Sequence, residues 1–438
     1  MGGQLAASYG RKKTIAISAF LFFIGSIIMV MTKLFGIIVL GRILLGIATG
    51  LGLLIAPLYT AEISPPSMRG KLVALAEISI NMGILFGYFI AWIFYFMHDD
   101  EAWRIMILFG CIPSILLFIG MLIMPESPRW LVEHGKLVKA REVLMRVHGD
   151  ENIRESEIEG KIKEIQATIA LEMREGTASW GEVLLPCVYK PSLILRKALI
   201  VGCGIAAFQQ ATGIDAVVYY TPLTFRDLGL DDQMILLCTT FMGMSKVFFI
   251  FVAMALLDRV GRRPLLLLSS VLMTIALFGL CISFLVGRPA GFTIFLQCFY
   301  VSAFSLGWGP CCWVMISEIF PLQIRSRGMA VSTCMNRLTA GFVALFFLSI
   351  KELLTPIGTW ILFGCISIVA LLFVYKYVPE TKNKTLEEIT NSLLRGVSHL
   401  SIPDTEQEMV TEMVMNGGRK DQDSNNSNDK LEMVDYDK

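Results

Sequence analysis

Ten apolar runs, each long enough to cross a bilayer, constrain what this chain can become. A helix needs ~20 mostly apolar residues to traverse the hydrocarbon core. The runs at 14–32, 35–60, 71–96, 103–124, 195–223, 233–257, 264–286, 291–315, 328–350 and 357–378 meet that length. No water is present in that core, so backbone polar groups must be satisfied internally, which leaves helices or closed barrels. A barrel would read as ~10-residue alternating segments, and the sequence has none. Composition agrees: 17% of residues are charged and mean hydropathy is +0.63, whereas a soluble domain carries ~25% charged residues. An all-α integral membrane protein is predicted. The net charge of +1 gives no reason to propose a nucleic-acid partner.

Lysine and arginine placement sets the orientation. One set of alternate loops holds Arg11, Lys12 and Lys13, then Arg69 and Lys71, the basic-rich 129–197 stretch, Arg259, Arg262 and Arg263, and Arg325 and Arg327. The opposite set holds little more than Lys33, Arg226, Arg288 and Lys351. The first set and both termini are therefore expected in the cytoplasm. The run at 14–32 is long and lacks a small-residue cleavage site, so it does not read as a signal peptide. The sequons at Asn383 and Asn425 fall on the cytoplasmic side, where no glycan is expected. The ten cysteines lie mostly inside apolar runs; Cys203, Cys238, Cys281, Cys311 and Cys312 form no disulfide or zinc pattern and read as packing. His98, His134, His148 and His399 are scattered outside the spans, and no nucleotide, metal or nucleophile constellation is present. The sequence therefore calls for no cofactor and does not read as an enzyme.

Three motifs recur in the same order about 250 residues apart, the mark of two homologous halves. Gly10-Arg11-Lys12 returns as Gly261-Arg262-Arg263. Glu62 followed by Arg69-Gly70 returns as Glu318 followed by Arg325 and Arg327-Gly328, and Pro125-Glu126 returns as Pro379-Glu380. Four regions follow: a four-helix bundle at 1–124, a cytoplasmic linker with short amphipathic helices at 125–194, a six-helix bundle at 195–378, and a largely disordered cytoplasmic tail at 379–438. The second half has two spans before its Gly-Arg-Arg motif, and the first half has none before Gly10. By this spacing, roughly 60 residues are expected ahead of Gly10 in a complete pair of halves.

These motifs resemble the sugar porter family of the major facilitator superfamily. Pro125-Glu126-Ser127-Pro128-Arg129-Trp130, Pro379-Glu380-Thr381-Lys382, Asp258-Arg259-Val260-Gly261-Arg262-Arg263, Gln209-Gln210-Ala211-Thr212-Gly213 and Gly309-Pro310 through Trp313 all match its signatures. The stretch Gly213–Tyr220 and the region around Glu77 are most similar to plant-type polyol and monosaccharide proton symporters. The resemblance implies two pseudo-symmetric helical bundles with ten of the usual twelve membrane helices. It also implies proton-coupled symport of a sugar or polyol by alternating access, with the lipid bilayer as surroundings and the plasma membrane as location (the vacuolar or plastid membrane is the alternative). The chain departs from the family at Ala7, where Asp is usual, and in lacking the first helix, which carries the coupling acid in proton-driven members. A truncated isoform or sensor that binds solute or partner without moving it is the rival reading.

Ionisable groups inside spans cost ~2.5–3.5 kcal/mol or more, so each needs a partner or a wet cavity. Arg42, Glu77, Asp215, Lys246 and Arg337 lie well inside spans. The resemblance implies proton-coupling roles for Arg42 and Glu77. For solute binding it implies Glu77, Gln209, Gln210, Asp215, Tyr219, Lys246, Trp313 and Asn336. An amide offers donors and acceptors together, which suits vicinal hydroxyls. Asp215 and Lys246 are expected to pair across the cavity. Asp215 and Tyr219 share a helical face, but Gln210 and Asp215 do not, so a bend or unwinding is expected near Gly213. Glu62, Arg69, Asp258, Arg262, Arg263, Glu318 and Arg325 sit at cytoplasmic helix ends, where ion pairs made in one state and broken in the other would gate the two faces.

Overall fold

The computed structural model describes residues 2–389 apart from 65–68, 96–101, 149–154, 175–192, 288, 321–324, 383 and 385–387. The tail beyond, both sequon asparagines and the side chains of Arg69, Asp258 and Arg325 lie outside the described residues. Among those described there are helices and no strand. The first half comprises α1 (Gly2–Tyr9), α2 (Arg11–Met31), α3 (Phe35–Ile63), α4 (Arg69–Phe94), α5 (Ala102–Phe109) and α6 (Cys111–Ile123). Three polar helices follow: α7 (Pro128–Glu133), α8 (Leu137–His148) and α9 (Glu155–Arg174). The second half comprises α10 (Leu193–Ala211), α11 (Ile214–Asp227), α12 (Asp232–Val260), α13 (Arg262–Leu285), α14 (Ala290–Leu306), α15 (Trp308–Ile319) and α16 (Arg325–Tyr377).

Among the described residues nine stretches are long and apolar enough to span a membrane, one fewer than the ten runs read from sequence. The difference lies in α16. Its 53 residues would measure ~80 Å as one rod, far beyond a ~30 Å hydrocarbon core. It is interrupted at Thr355, whose φ of 60° and ψ of 163° are not helical. Pro356 follows, and a proline disfavours the helical region for the residue before it. The expected spans 328–350 and 357–378 are thus two arms of α16 joined at this kink. Elsewhere the runs match single spans, with 103–124 divided into α5 and α6 at Gly110.

The duplicated motifs build the same clamp in both halves. At the start of α2, Glu126 Oε1 accepts from the backbone N–H groups of Arg11 at 2.9 Å and Lys12 at 3.0 Å. At the start of α13, Glu380 accepts from the N–H groups of Arg262 at 3.1 Å and Arg263 at 3.0 Å. A helix N-terminus leaves N–H groups unpaired and favours a negative charge beside them, which is why Pro-Glu and Gly-Arg travel together. The arginine of each motif then turns to a glutamate. Arg11 holds Glu62 through two bonds of 2.9 and 2.8 Å, and Arg262 donates to Glu318 at 3.2 Å. Ser127 adds a 2.5 Å bond to Glu62, and Tyr59 donates to the Pro125 carbonyl at 2.6 Å. The turn glycines have φ of 96° and 105°, and a Cβ would lie 2.3 Å from Glu126 at Gly10 and 2.8 Å from Glu380 at Gly261.

The symmetry continues into the spans. Ser18 in α2 donates to the Ala48 carbonyl of α3 at 2.7 Å, and Ser269 in α13 donates to the Ala303 carbonyl of α14 at 2.6 Å. Each serine sits eight residues beyond its motif glycine. Both halves are therefore stitched by side chain-to-carbonyl bonds of the kind that hold helices together where burial alone gives no driving force. Trp130 of α7 ties the linker to the first half, donating to the Ala7 carbonyl at 2.7 Å while packing with Leu131, Val132 and Ala140. Gly10→Ala and Gly261→Ala are each expected to destabilise the purified protein by about 1–3 kcal/mol, the scale of a residue held in disfavoured backbone space. Thermal unfolding in detergent measures this, with Gly3→Ala, which meets open space, as the neutral control.

Candidate functional site

Two spans of the second half are broken near their midpoints. The run 195–223 divides into α10 and α11 at Thr212-Gly213, and 291–315 divides into α14 and α15 at Gly307. Gly213 is left-handed at φ 89°, and a Cβ there would lie 2.7 Å from the Phe363 ring. At Gly307 a Cβ would meet the Leu265 carbonyl and Ser269 Cβ at 2.5 Å. The bend expected at Gly213 is present; the one at Gly307 was not expected.

A broken helix exposes backbone carbonyls that lipid cannot satisfy. Here side chains near each break reach backbone carbonyls beside the other. Tyr300 of α14 donates to the Thr212 carbonyl at 2.8 Å, and Gln209 of α10 donates to the Trp308 carbonyl at 2.9 Å. Ser269 accepts from the Trp308 N–H at 3.4 Å, and Ser270 accepts from the Trp308 indole at 2.8 Å. Pro310 has no N–H to satisfy. Each break is therefore held by the other.

From this junction a polar chain runs across three spans. Gln209 Oε1 accepts from Asn336 Nδ2 at 2.7 Å, and Asn336 also donates to the Ala206 carbonyl at 2.8 Å. Arg337 donates to Asn336 Oδ1 through Nε at 2.9 Å and through a terminal nitrogen. In the amide orientation its neighbours require, Gln210 accepts from Arg337 at 3.0 Å and donates to Asp215 Oδ2 at 3.0 Å. The break brings Gln210 and Asp215 together although a straight helix would not. It also places Asp215 in the first turn of α11, where the helix dipole favours a carboxylate.

The first half contributes α4, which packs against α12 and α15. Glu77 is half-buried, and a Cβ on Gly309 would lie 3.3 Å from its Oε1. It lies within electrostatic reach of Lys246, Arg337 and Asp215. Lys246 is 6% exposed on α12. The expected Asp215–Lys246 pair is not made: Asp215 bonds Gln210, and Lys246 has no ion pair within 4.0 Å among the described residues. Trp313 is half-buried on α15, next to the buried Cys312. Tyr219 is 64% exposed and makes no hydrogen bond to the polar chain among the described residues, while its neighbour Val218 accepts from Tyr88 of α4 at 3.3 Å. Arg42 stands apart, exposed on α3, without a hydrogen bond or ion pair to any described residue. The pairs Arg11–Glu62 and Arg262–Glu318, at the helix ends expected to face the cytoplasm, each lie inside one half.

Sequence reasoning missed Arg337 as a site member, along with Tyr300, Trp308 and Asn81. An arginine deep in an apolar run was the one available signal; the other three read as ordinary packing until the breaks were seen. Among the described residues no cluster of three or more His, Cys, Asp or Glu is placed to hold a metal.

The sugar (and other) transporter family model matches residues 1–393. The chain belongs to that family. It is 43% identical over 394 residues to probable polyol transporter 4 of Arabidopsis thaliana, covering 89% of this chain and 73% of that one. A putative metabolite transport protein of Bacillus subtilis is 36% identical over 395 residues, covering 89% and 82%. Among solved structures, the chain resembles the major facilitator superfamily proton:xylose symporter XylE bound to 6-bromo-6-deoxy-D-glucose, with TM-score 0.75 and 29% identity over 89% of this chain and 85% of that one. It is similarly close to a partially occluded, inward-open form of XylE from E. coli, with TM-score 0.73 and 29% identity over 88% and 84%. This transporter is thus a multi-pass membrane protein with the major facilitator fold.

Gln209→Leu would remove the bonds to the Trp308 carbonyl and to Asn336, which keeps its bond to the Ala206 carbonyl. It is expected to cost about 1–3 kcal/mol in all, seen as a lowered melting temperature without added ligand. Trp313→Leu, which strands no bonded group, should leave that temperature within a few tenths of a kcal/mol equivalent.

Proposed function

We propose that this transporter is a secondary active carrier for polyols or monosaccharides, binding its solute between the two halves and moving it by alternating access with a symported proton. The observation that carries this reading is the polar chain from Asp215 through Gln210, Arg337 and Asn336 to Gln209, set where two broken helices meet. Buried amides and a carboxylate present donors and acceptors side by side, matching a solute whose hydroxyls do both. Glu77 and Lys246 face this chain from α4 and α12, and Trp313 on α15 offers an aromatic surface for the C–H face of the solute. The names of the relatives support the substrate class, and the proton symporter among the solved neighbours supports the coupling.

In this reading Glu77 and Arg42 serve proton coupling. The clusters of Glu62, Arg69, Asp258, Arg262, Arg263, Glu318 and Arg325 bias which face is open, from the cytoplasmic ends of both halves. Because Arg11–Glu62 and Arg262–Glu318 each close within one half, they keep the halves rigid as these rock. The plasma membrane is the proposed location, with both termini cytoplasmic.

Labelled sorbitol, mannitol, inositol, glucose and xylose are to be offered to transporter-deficient cells expressing the chain. Uptake of at least one, collapsing with a protonophore, is expected. Uptake that merely equilibrates would remove the proton, and saturable binding without uptake would replace the carrier by a sensor. Lys246→Met should reduce uptake severely at equal surface expression; unaltered uptake would take Lys246 out of the site.

A further inference from the structure

One side-chain oxygen near this site, Asn81 Oδ1, is buried without a partner among the described residues. Asn81 is 1% exposed on α4, one turn beyond Glu77. Its Nδ2 donates to the Glu77 carbonyl at 2.8 Å and to Glu77 Oε1 at 3.4 Å. Those two bonds fix which end of the amide faces Glu77. The other end, Oδ1, is buried without a hydrogen-bond partner among the described residues. A buried acceptor left unpaired is costly, and most buried side-chain polar atoms have a partner.

The direction in which Asn81 faces follows from its helix. Residues 81, 85 and 88 share one face of α4. Leu85 and Tyr88 lie against Gly243 of α12, where a Cβ would meet them at 3.2 and 3.0 Å. Asn81 therefore faces α12 across the boundary between the halves. α4 begins at the cytoplasmic Arg69-Gly70 motif and α12 ends at the cytoplasmic Asp258-Arg259 motif, so the two are antiparallel. One turn from Leu85 toward the cytoplasm on α4 is Asn81; one turn from Gly243 toward the cytoplasm on α12 is Lys246. Lys246 makes no hydrogen bond to Asn81 Oδ1 in this arrangement. The acceptor thus sits between the halves, beside the Glu77 carboxylate, in need of a donor.

We propose that Asn81 is a specificity residue whose Oδ1 accepts a hydrogen bond from a solute hydroxyl adjacent to the one received by Glu77. The inference rests on the carrier reading above. Its chemical content is narrower: the solute presents a vicinal pair of hydroxyl donors to α4, one to each acceptor. Oδ1 carries no hydrogen and can only accept, and the Nδ2 group that could donate is directed at Glu77. A ligand group that can only accept, such as a ketone oxygen or an ether, would leave Asn81 unsatisfied and be rejected. A chain with hydroxyls on consecutive carbons fits this demand.

The test is binding to the purified transporter in lipid nanodiscs, using sorbitol and its singly deoxygenated analogues. With the unaltered protein, the analogue lacking the hydroxyl that Asn81 receives is expected to bind about tenfold more weakly than sorbitol for loss of this bond. Asn81→Leu should weaken sorbitol by the same factor and bind that analogue no worse than sorbitol. If the leucine variant fails to assemble, Asn81→Ala carries the same comparison. An Asn81→Leu variant that loses every analogue by one common factor, or loses none, would assign Asn81 to packing and overturn the inference. Failure of the unaltered protein to bind any polyhydroxy compound would instead overturn the carrier reading beneath it.

Discussion

Inside a bilayer a backbone carbonyl that leaves its helix must find a donor within the protein, because lipid offers none. The second half of this transporter breaks two helices near its centre, and the Thr212 carbonyl, past the end of α10, makes that demand. Tyr300 of the other broken span serves Thr212, and Gln209 in return bonds the carbonyl of Trp308, the first residue of α15. Once Gln209 is committed to this duty, its remaining oxygen takes Asn336, which takes Arg337, which reaches Gln210 and Asp215. The polar character of the centre thus follows from the breaks. Removing the breaks would leave these side chains buried with nothing to bond, and removing the side chains would leave the breaks unsatisfied.

The two halves share a scaffold and differ where the chemistry lies. Both carry the Glu-capped helix start, the arginine–glutamate bond and the serine eight residues on. In the first half, Gly52 lies near Ser18 and its helix, α3, continues unbroken; in the second, Gly307 lies against Ser269 and its helix stops. A Cβ at Gly52 would sit 3.4 Å from Ser18, in ordinary contact, whereas at Gly307 it would overlap Ser269 at 2.5 Å. The closer approach at Gly307 accompanies the departure from helix. Duplication thus supplied a common frame, and one half was altered to open backbone for side chains to address.

Much of the frame was legible in residue order. The span positions follow from length and hydropathy alone, and the kink at Thr355 agrees with a proline that follows it. The bend at Gly213 was foreseeable because Gln210 and Asp215 cannot share a face of a straight helix. The break at Gly307 was not, since Gly307-Trp308-Gly309-Pro310 contains small residues that a packed helix also tolerates. Asp215 and Lys246 illustrate a different limit. Opposite charges on neighbouring spans invite pairing, but Gln210, only five residues from Asp215, reaches it first once the helix breaks between them. Arg337 and Asn81 were hidden for a related reason: their importance lies in what their partners leave unsatisfied, which residue type does not encode.

What the sequence by itself determined is the material: helices of membrane length, a doubled motif set, basic residues gathered in alternate loops, and the amides and charges confined to a few spans. These are local properties, set by hydrocarbon thickness, hydrogen-bonding capacity and helical periodicity, and they act on each segment independently. Only the tertiary structure decided who meets whom. Tyr300 finds Thr212 across 88 residues of chain, Gln209 finds Asn336 across 127, and Asn81 comes to face α12 of the other half. In a medium where burial does little to drive helices together, close packing at small residues and the satisfaction of polar groups select the arrangement, and both depend on three-dimensional position.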